Sequence, residues 1–153
     1  KILEGDETFF INWQHLMHNL HFDYTLFFNE LEKWNEESNV SDFFSKVSYE
    51  ILTPENEIKF LEFLQNYQNR LLKNTISREG SLNLMKENNP KFILRNYLLY
   101  ECIEELEHNK TELLEKLIKA LENPYQEIFP EFSQKRPNKF DGTIGSSMLS
   151  CSS

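Results

Sequence analysis

The sequence predicts an all-α fold, and three observations support that prediction. Apolar residues recur at spacings of three and four through most of the first 130 residues, which places them on one face of successive helices. Two helix-start signals, Thr53-Pro54 and Asn89-Pro90, combine a capping side chain with a proline at the first helical position. No segment shows the sustained alternation and β-branched enrichment that indicate strands. We therefore expect a bundle of helices.

The first two helices are predicted from their apolar stripes. Asp23 is expected to cap the second helix, because its carboxylate can accept a hydrogen bond from a first-turn N–H. Residues 34–41 are polar and predict a loop, and a short apolar patch follows at residues 43–47. The two stripes comprise Phe9, Phe10, Trp13, Leu16, Met17 and Leu20, and then Tyr24, Phe27, Phe28 and Leu31.

The next helix is expected to begin at Thr53-Pro54 and to end before the sequence Ser77-Arg78-Glu79-Gly80. Gly80 is the predicted end signal, because glycine readily adopts the left-handed conformation that closes many helices. We expect only a short helical turn over residues 81–85.

The most apolar helix is expected to begin at Asn89-Pro90. Apolar residues, Leu94 among them, surround much of its circumference, and this predicts a central helix rather than a surface one. Arg95 and Asn96 would lie within that helix. A buried arginine needs an acidic partner, and an asparagine inside a helix needs a hydrogen bond to another segment. We therefore interpret both residues as structural ties to neighbouring helices, not as catalytic groups.

The last helix is predicted over residues 113–121 and should end at Asn123-Pro124, with one further turn at residues 125–129. After that point the composition changes, and the chain finishes in a sequence rich in Ser and Gly. We predict a helical domain over residues 1–130 and an irregular tail over residues 131–153.

Composition excludes several classes of function. The net charge of −9 argues against nucleic-acid binding, which depends largely on Lys and Arg neutralising phosphates. No apolar run approaches the roughly 20 residues that a membrane span requires. The four glycines form no phosphate-binding loop. We therefore expect neither a nucleic-acid nor a membrane partner.

Three histidines suggest a metal site only weakly. His15, His18 and His21 are three residues apart, and a helix turns about 100° per residue, so their side chains drift off one face. An exposed helix edge is the simpler interpretation. A histidine-based metalloprotein is kept as an alternative, but no metal ligand is assigned.

The two cysteines are too few for a disulfide scaffold and have no zinc-binding spacing. Cys102 is expected to be buried in the most apolar helix, where a thiol acts as a small hydrophobic group. Cys151 stands third from the end among serines, and its residue context fits either an inert terminal cysteine or an accessible thiol.

Several motifs, in this order along the chain, resemble the C-terminal part of the selenoprotein O family, whose bacterial members are called YdiU. They are Asp23-Tyr-Thr-Leu-Phe-Phe-Asn-Glu-Leu, Tyr67-Gln-Asn-Arg-Leu, Asn89-Pro-Lys-Phe-Ile-Leu-Arg-Asn-Tyr-Leu-Leu-Tyr-Glu-Cys-Ile-Glu, Asn123-Pro-Tyr and Leu149-Ser-Cys-Ser-Ser. The resemblance spans nearly the whole chain.

The resemblance implies a protein-kinase-like fold that binds ATP with Mg²⁺ in a flipped orientation. Such a pseudokinase transfers AMP, rather than phosphate, onto Ser, Thr or Tyr of protein substrates. The family's glycine-rich segment, nucleotide-binding lysine and Mg²⁺ ligands belong to the kinase-like part, and none matches residues 1–153. The resemblance thus implies that this chain is a helical C-terminal fragment without catalytic, cofactor-binding or metal residues. Its partners would be the upstream kinase-like domain and the protein substrates of the whole enzyme.

The resemblance also assigns one regulatory residue and a compartment. Cys151 corresponds to the family's redox position, which is selenocysteine in some animal members and forms a disulfide with a kinase-domain cysteine in some bacterial ones. The compartment would be the cytoplasm of a bacterium or the mitochondrion of a eukaryote, and we favour the cytoplasm. A self-standing acidic helical module that binds a basic protein is the alternative to this family interpretation.

Overall fold

The computed structural model describes residues 2–35 and 37–143. Over these residues the chain forms seven α-helices, two short 3₁₀ helices and no strand, so the all-α prediction is confirmed. None of these helices is both long enough and apolar enough to span a membrane. The helices are α1 (Asp6–Asn19), α2 (Tyr24–Lys33), α3 (Val40–Val47), α4 (Pro54–Leu71), α5 (Arg78–Asn88), α6 (Asn96–Glu107) and α7 (Glu112–Glu122), and the 3₁₀ helices are Pro130–Phe132 and Asn138–Phe140.

Two compact units divide the chain, an N-terminal unit up to Asn89 and a C-terminal unit from Pro90 onward. Each unit has a hydrophobic core of its own. The sequence placed a domain boundary at residue 130 instead, and that division stays a prediction. The contacts group residues 130–140 with the C-terminal unit, because Phe132 and Phe140 are buried in its core.

The core of the N-terminal unit is built from phenylalanine rings on α2, α3 and α4. Phe27 and Phe60 are fully buried, and Phe44 is only 1% exposed. The ring centroids of Phe60 and Phe43 are 5.1 Å apart in an edge-on arrangement, which is a favourable geometry for aromatic pairs. Several of the chain's 13 phenylalanines therefore serve to build this core.

Two predicted helix starts are confirmed by their capping hydrogen bonds. The Asp23 carboxylate accepts a hydrogen bond from the Leu26 N–H at 3.1 Å, at the start of α2. The Thr53 hydroxyl oxygen accepts one from the Asn56 N–H at 3.2 Å, with Pro54 as the first residue of α4. Each side chain satisfies one of the amide groups that a helix start leaves unpaired.

The predicted role of Gly80 is wrong. Helix α4 ends at Leu71, and Gly80 lies in the first turn of α5 rather than closing the preceding helix. The Ser77 hydroxyl accepts a hydrogen bond from the Gly80 N–H at 3.1 Å, so the sequence Ser77-Arg78-Glu79-Gly80 starts a helix. The short turn expected at residues 81–85 is consequently a complete helix of 11 residues.

The predicted helix start at Asn89-Pro90 is also wrong. Asn89 has extended backbone angles at the end of α5, and the next helix does not begin until Asn96. A proline disfavours the helical conformation of the residue before it. A non-helical residue such as Asn89 can therefore either end one helix or cap the start of the next. The expected further turn at residues 125–129 does not form a helix either.

An ion pair joins the start of α1 to the end of α4. The Asp6 carboxylate accepts hydrogen bonds from Arg70 Nε and from Arg70 Nη2, the latter at 3.0 Å, and also from the Leu3 N–H at 2.8 Å. Arg70 Nη1 donates to the Asn74 side-chain oxygen at 2.7 Å. These hydrogen bonds from Arg70, with that from Leu3, lower the pKa of Asp6 from 3.8 to about 2.

This ion pair predicts a pH-dependent stability. Because the pKa of Asp6 is lower in the folded chain than its ordinary 3.8, the pair stabilises the fold above about pH 4, and this stabilisation is lost as the pH falls towards 2. We expect D6N to lower the urea midpoint at pH 7, with the difference from wild type shrinking between pH 4 and pH 2. The control is E55Q, which removes the exposed Glu55–Lys59 pair and should change the midpoint little. Equal midpoints for D6N and E55Q at pH 7 would contradict this prediction.

Candidate functional site

The motif that carries the family resemblance begins with a segment without regular secondary structure, residues 90–95, which leads into α6. Phe92 is its anchor, because its side chain is 4% exposed and packs in the core of the C-terminal unit. The ring centroids of Phe92 and Phe132 are 5.5 Å apart. Core packing of Phe92 therefore holds this segment in place, and the segment itself is not helical.

One carbonyl group fixes the path of this segment. The Pro124 carbonyl accepts hydrogen bonds from the Lys91 N–H at 2.7 Å and from the Phe92 N–H at 3.0 Å. The Ser133 hydroxyl donates to the Lys91 carbonyl at 3.2 Å. These contacts, which we call the Pro124 junction, join the sequences around both Asn-Pro pairs. They satisfy two N–H groups, those of Lys91 and Phe92, that the first turn of a helix would have left without an intrahelical acceptor.

The C-terminal segment, residues 130–140, covers one side of α6. The Phe140 ring lies 5.5 Å from the Tyr97 ring and 6.2 Å from the Tyr100 ring. Lys139 Nζ donates to the Glu101 carboxylate at 2.6 Å and lies 4.7 Å from the centroid of the Phe140 ring. Residues that the sequence assigned to an irregular tail thus complete the core of the C-terminal unit.

The other side of α6 exposes a row of large apolar side chains. Leu99, Ile103 and Leu106 are 44%, 51% and 39% exposed, and their spacings of four and three residues align them on one helix face. We call these three residues the α6 stripe. The buried face of the same helix contains Leu98 and Cys102. The sequence predicted a central helix rather than a surface one, whereas α6 leaves one apolar face substantially exposed among the described residues.

The five motif residues singled out by sequence lie along this path. Asn89 and Pro90 are half-buried at the end of α5 and the start of the 90–95 segment, and Leu94 is 41% exposed. Arg95 is half-buried and precedes the first residue of α6, so its expected place within the helix is wrong. Its carbonyl accepts hydrogen bonds from the first turn of α6. Asn96 is exposed at the first position of that helix, so its expected place in the helix interior is wrong. The tying roles of Arg95 and Asn96 stay predictions.

The structure describes one of the two cysteines, Cys102, but not Cys151. Cys102 is a free thiol and 2% exposed, as the sequence predicted. Burial, together with the nearby Glu105 carboxylate, raises the pKa of this thiol, which makes it a poor nucleophile. Cys151 lies outside the described residues, so its predicted regulatory role is not tested by the structure.

His15, His18 and His21 are exposed on the N-terminal unit. The rings of His18 and His21 are 6.4 Å apart, and His21 contacts the Glu50 carboxylate. His15 instead lines a groove of about 250 Å³ between α1 and α4, together with Lys59 and Glu62. Within the part of the chain that the structure describes, no three His, Cys, Asp or Glu side chains are grouped to bind a metal ion.

The C-terminal unit has a polar cleft that the sequence did not predict. The cleft measures about 430 Å³ and lies between the end of α6, the start of α7 and the 3₁₀ helix at Pro130–Phe132. Lys116 crosses it to contact the Glu131 carboxylate at 3.3 Å. The other charged and polar side chains that line it are Glu101, Glu104, Glu105, His108, Lys110 and Glu112. Because carboxylates predominate, this cleft does not fit a triphosphate anion.

The comparison with known families decides what kind of protein contains this motif. A family model described as protein adenylyltransferase SelO matches residues 3–122, which include the Asn89-to-Glu104 motif. The chain belongs to this family. The family assignment made from the sequence motifs is thereby confirmed.

Individual relatives of the SelO family match along the same stretch. The chain is 33% identical to a protein nucleotidyltransferase YdiU of Cytophaga hutchinsonii and 30% identical to one of Flavobacterium johnsoniae, with 98% of the chain covered in both cases. A protein of the same name from Xanthomonas oryzae pv. oryzae is 35% identical over 60% of the chain. The chain spans only about 30% of the length of the first two relatives.

The family match covers all seven helices but stops before the C-terminal segment. The matched range of the family model therefore includes α6 and its exposed stripe, whereas Phe132 and Phe140 of the C-terminal segment lie beyond it. Among the site residues named from sequence, Asn89, Pro90, Leu94, Arg95 and Asn96 lie inside the match and Cys151 lies outside it.

The packing of the C-terminal segment predicts a large effect of a single truncation. Phe140 is 5% exposed, so F140A should lower the free energy of unfolding of the C-terminal unit by about 3 kcal/mol or more, the cost of deleting a buried ring. Hydrogen exchange of the α6 amides would measure the loss. The control Y125A removes an aromatic ring that is 51% exposed, and we expect it to change protection by less than about 0.5 kcal/mol. Unchanged α6 protection in F140A would show that the segment does not support this helix.

Proposed function

We propose that this chain is the C-terminal helical part of a protein adenylyltransferase, an enzyme that transfers AMP from ATP to Ser, Thr or Tyr of other proteins. The observation that supports the proposal is the match to the SelO family over residues 3–122, combined with relatives more than three times as long. In this proposal the kinase-like part of the longer protein binds ATP and Mg²⁺ and performs the transfer.

Two clefts of the described residues do not fit the nucleotide. A triphosphate needs backbone N–H groups or cations converging on its oxygens. The polar cleft of the C-terminal unit is lined mainly by carboxylates, and the α1–α4 groove has Lys59 beside Glu62. No catalytic step is therefore assigned to residues of this chain, and its role in the proposal is to support the kinase-like lobe.

The fold suits a supporting role. Each unit buries an aromatic core of its own, and the Pro124 junction fixes the start of α6 by backbone hydrogen bonds. A support of this kind positions a neighbouring domain through rigid helices rather than through reactive groups.

The bacterial relatives lead us to propose the bacterial cytoplasm as the compartment of the protein.

The proposed activity is tested by labelling with two forms of ATP. The full-length protein, incubated with a mixture of proteins, should transfer label from [α-³²P]ATP but not from [γ-³²P]ATP, because AMP transfer keeps only the α-phosphorus. Residues 1–153 alone should neither transfer label nor bind Mg·ATP in calorimetry. Transfer from the γ-labelled form would indicate a kinase instead, and transfer from neither form would refute the proposal.

We also propose that Cys151 is a regulatory thiol of the full-length enzyme. Treatment with diamide should join it to a cysteine of the kinase-like part, with both thiols losing a proton and an electron to the oxidant. The internal crosslink should give a faster band on a non-reducing gel, which C151S should abolish. The control C102A removes the buried thiol and should keep the faster band. Migration that does not change on oxidation, or that C102A abolishes, would contradict a role for Cys151.

A further inference from the structure

We propose that the α6 stripe is a docking surface and that its occupant is the catalytic part of the same full-length chain. The inference rests on the proposed function, because that function supplies the second part of the chain. It goes further by naming the helix face, Leu99, Ile103 and Leu106, through which the supporting role is exerted.

The first argument is the asymmetry of α6 within its own unit. Leu98 and Cys102 are 4% and 2% exposed on one face, whereas all three stripe residues are at least 39% exposed on another. A row of large aliphatic side chains at spacings of four and three is the arrangement by which a helix packs against a partner. Tyr100, 37% exposed, adds an aromatic ring on the same helix.

The second argument is rigidity. The Arg95 carbonyl accepts hydrogen bonds from the Leu98 and Leu99 N–H groups at 3.0 and 3.1 Å, so the first turn of α6 is well formed. The Pro124 junction and the ring of Phe140 fix the segment before α6 and one side of the helix. A surface that is held in one conformation before binding loses little conformational entropy when it binds.

The third argument is charge, which disfavours a second copy of this chain as the occupant. Residues 96–107 contain four glutamates and no lysine or arginine. The exposed Glu104 and Glu107 lie near the stripe, and their carboxylates raise the pKa of Tyr100. Two such helices facing each other would bring like charges together, which opposes association. The fitting partner is an apolar patch with a basic edge.

The fourth argument is the amount of chain available in the relatives. About 70% of the length of the relatives from Cytophaga hutchinsonii and Flavobacterium johnsoniae lies outside the matched region. A partner in the same chain is present at a high effective concentration, so a surface of a few side chains is sufficient for docking. A separate protein would need a larger surface to bind with comparable occupancy.

Maleimide labelling of introduced cysteines in the full-length protein tests the docking. L99C places a thiol in the stripe, and the control I118C places one on α7, where the native side chain is 48% exposed against 44% for Leu99. Both are made in a C102A background, so that α6 contains no other thiol. Labelled peptides are quantified by mass spectrometry, and each rate is divided by the rate of the same variant in 6 M urea.

We expect L99C to be labelled at least tenfold more slowly than I118C under native conditions. L106C serves as a second stripe variant and should be protected in the same way. Native rates for L99C and L106C within threefold of I118C would overturn the inference. Protection that disappears when the protein is diluted a hundredfold would also overturn it, because it would identify a second copy as the occupant.

The outcome is separable from that of the proposed function. AMP transfer by the full-length protein together with an unprotected stripe would refute the docking surface and leave the activity intact. A protected stripe without AMP transfer would refute the activity while supporting a contact with the rest of the chain.

Discussion

The C-terminal unit depends on one acceptor, the carbonyl group of Pro124. Proline lacks an N–H, so residue 124 contributes only an acceptor, and the end of α7 leaves that acceptor available. It accepts hydrogen bonds from two consecutive N–H groups, those of Lys91 and Phe92, which lie outside any helix. This contact directs Phe92 into the core and sets where α6 begins. The start of the apolar helix therefore depends on a contact between residues 91–92 and residue 124, which is distant along the chain.

Sequence reasoning succeeded where the decisive interaction is local. Asp23 and Thr53 accept hydrogen bonds from residues three positions later, so the neighbouring sequence alone is sufficient to predict these helix starts. Asn89-Pro90 presents nearly the same local signal as Thr53-Pro54, yet it ends a helix region instead of starting one. The difference is the distant Pro124 carbonyl, which a reading of neighbouring residues does not reveal.

For the candidate site, too, the sequence predicted residue identities but not the packing that depends on distant contacts. The motif from Asn89 to Glu104 was sufficient to identify the family, because residue identities are retained whatever conformation they adopt. The exposure of the α6 stripe could not be predicted, since apolar residues surround that helix and only packing decides which face stays uncovered. The C-terminal segment was also missed, because Phe132 and Phe140 are isolated aromatic residues in a polar sequence without helical periodicity.

The ion pair between Asp6 and Arg70 has a consequence for the order in which the N-terminal unit can assemble. The partners are separated by 64 residues. At the usual synthesis rate of about 5 to 20 residues per second, Arg70 is added roughly 3 to 13 seconds after Asp6. Helices α2 and α3 are neighbours in sequence and can pack as soon as both have left the ribosome. Helix α1 precedes α2 to α4 in the chain, yet its ion pair with α4 can form only after Arg70 has been made.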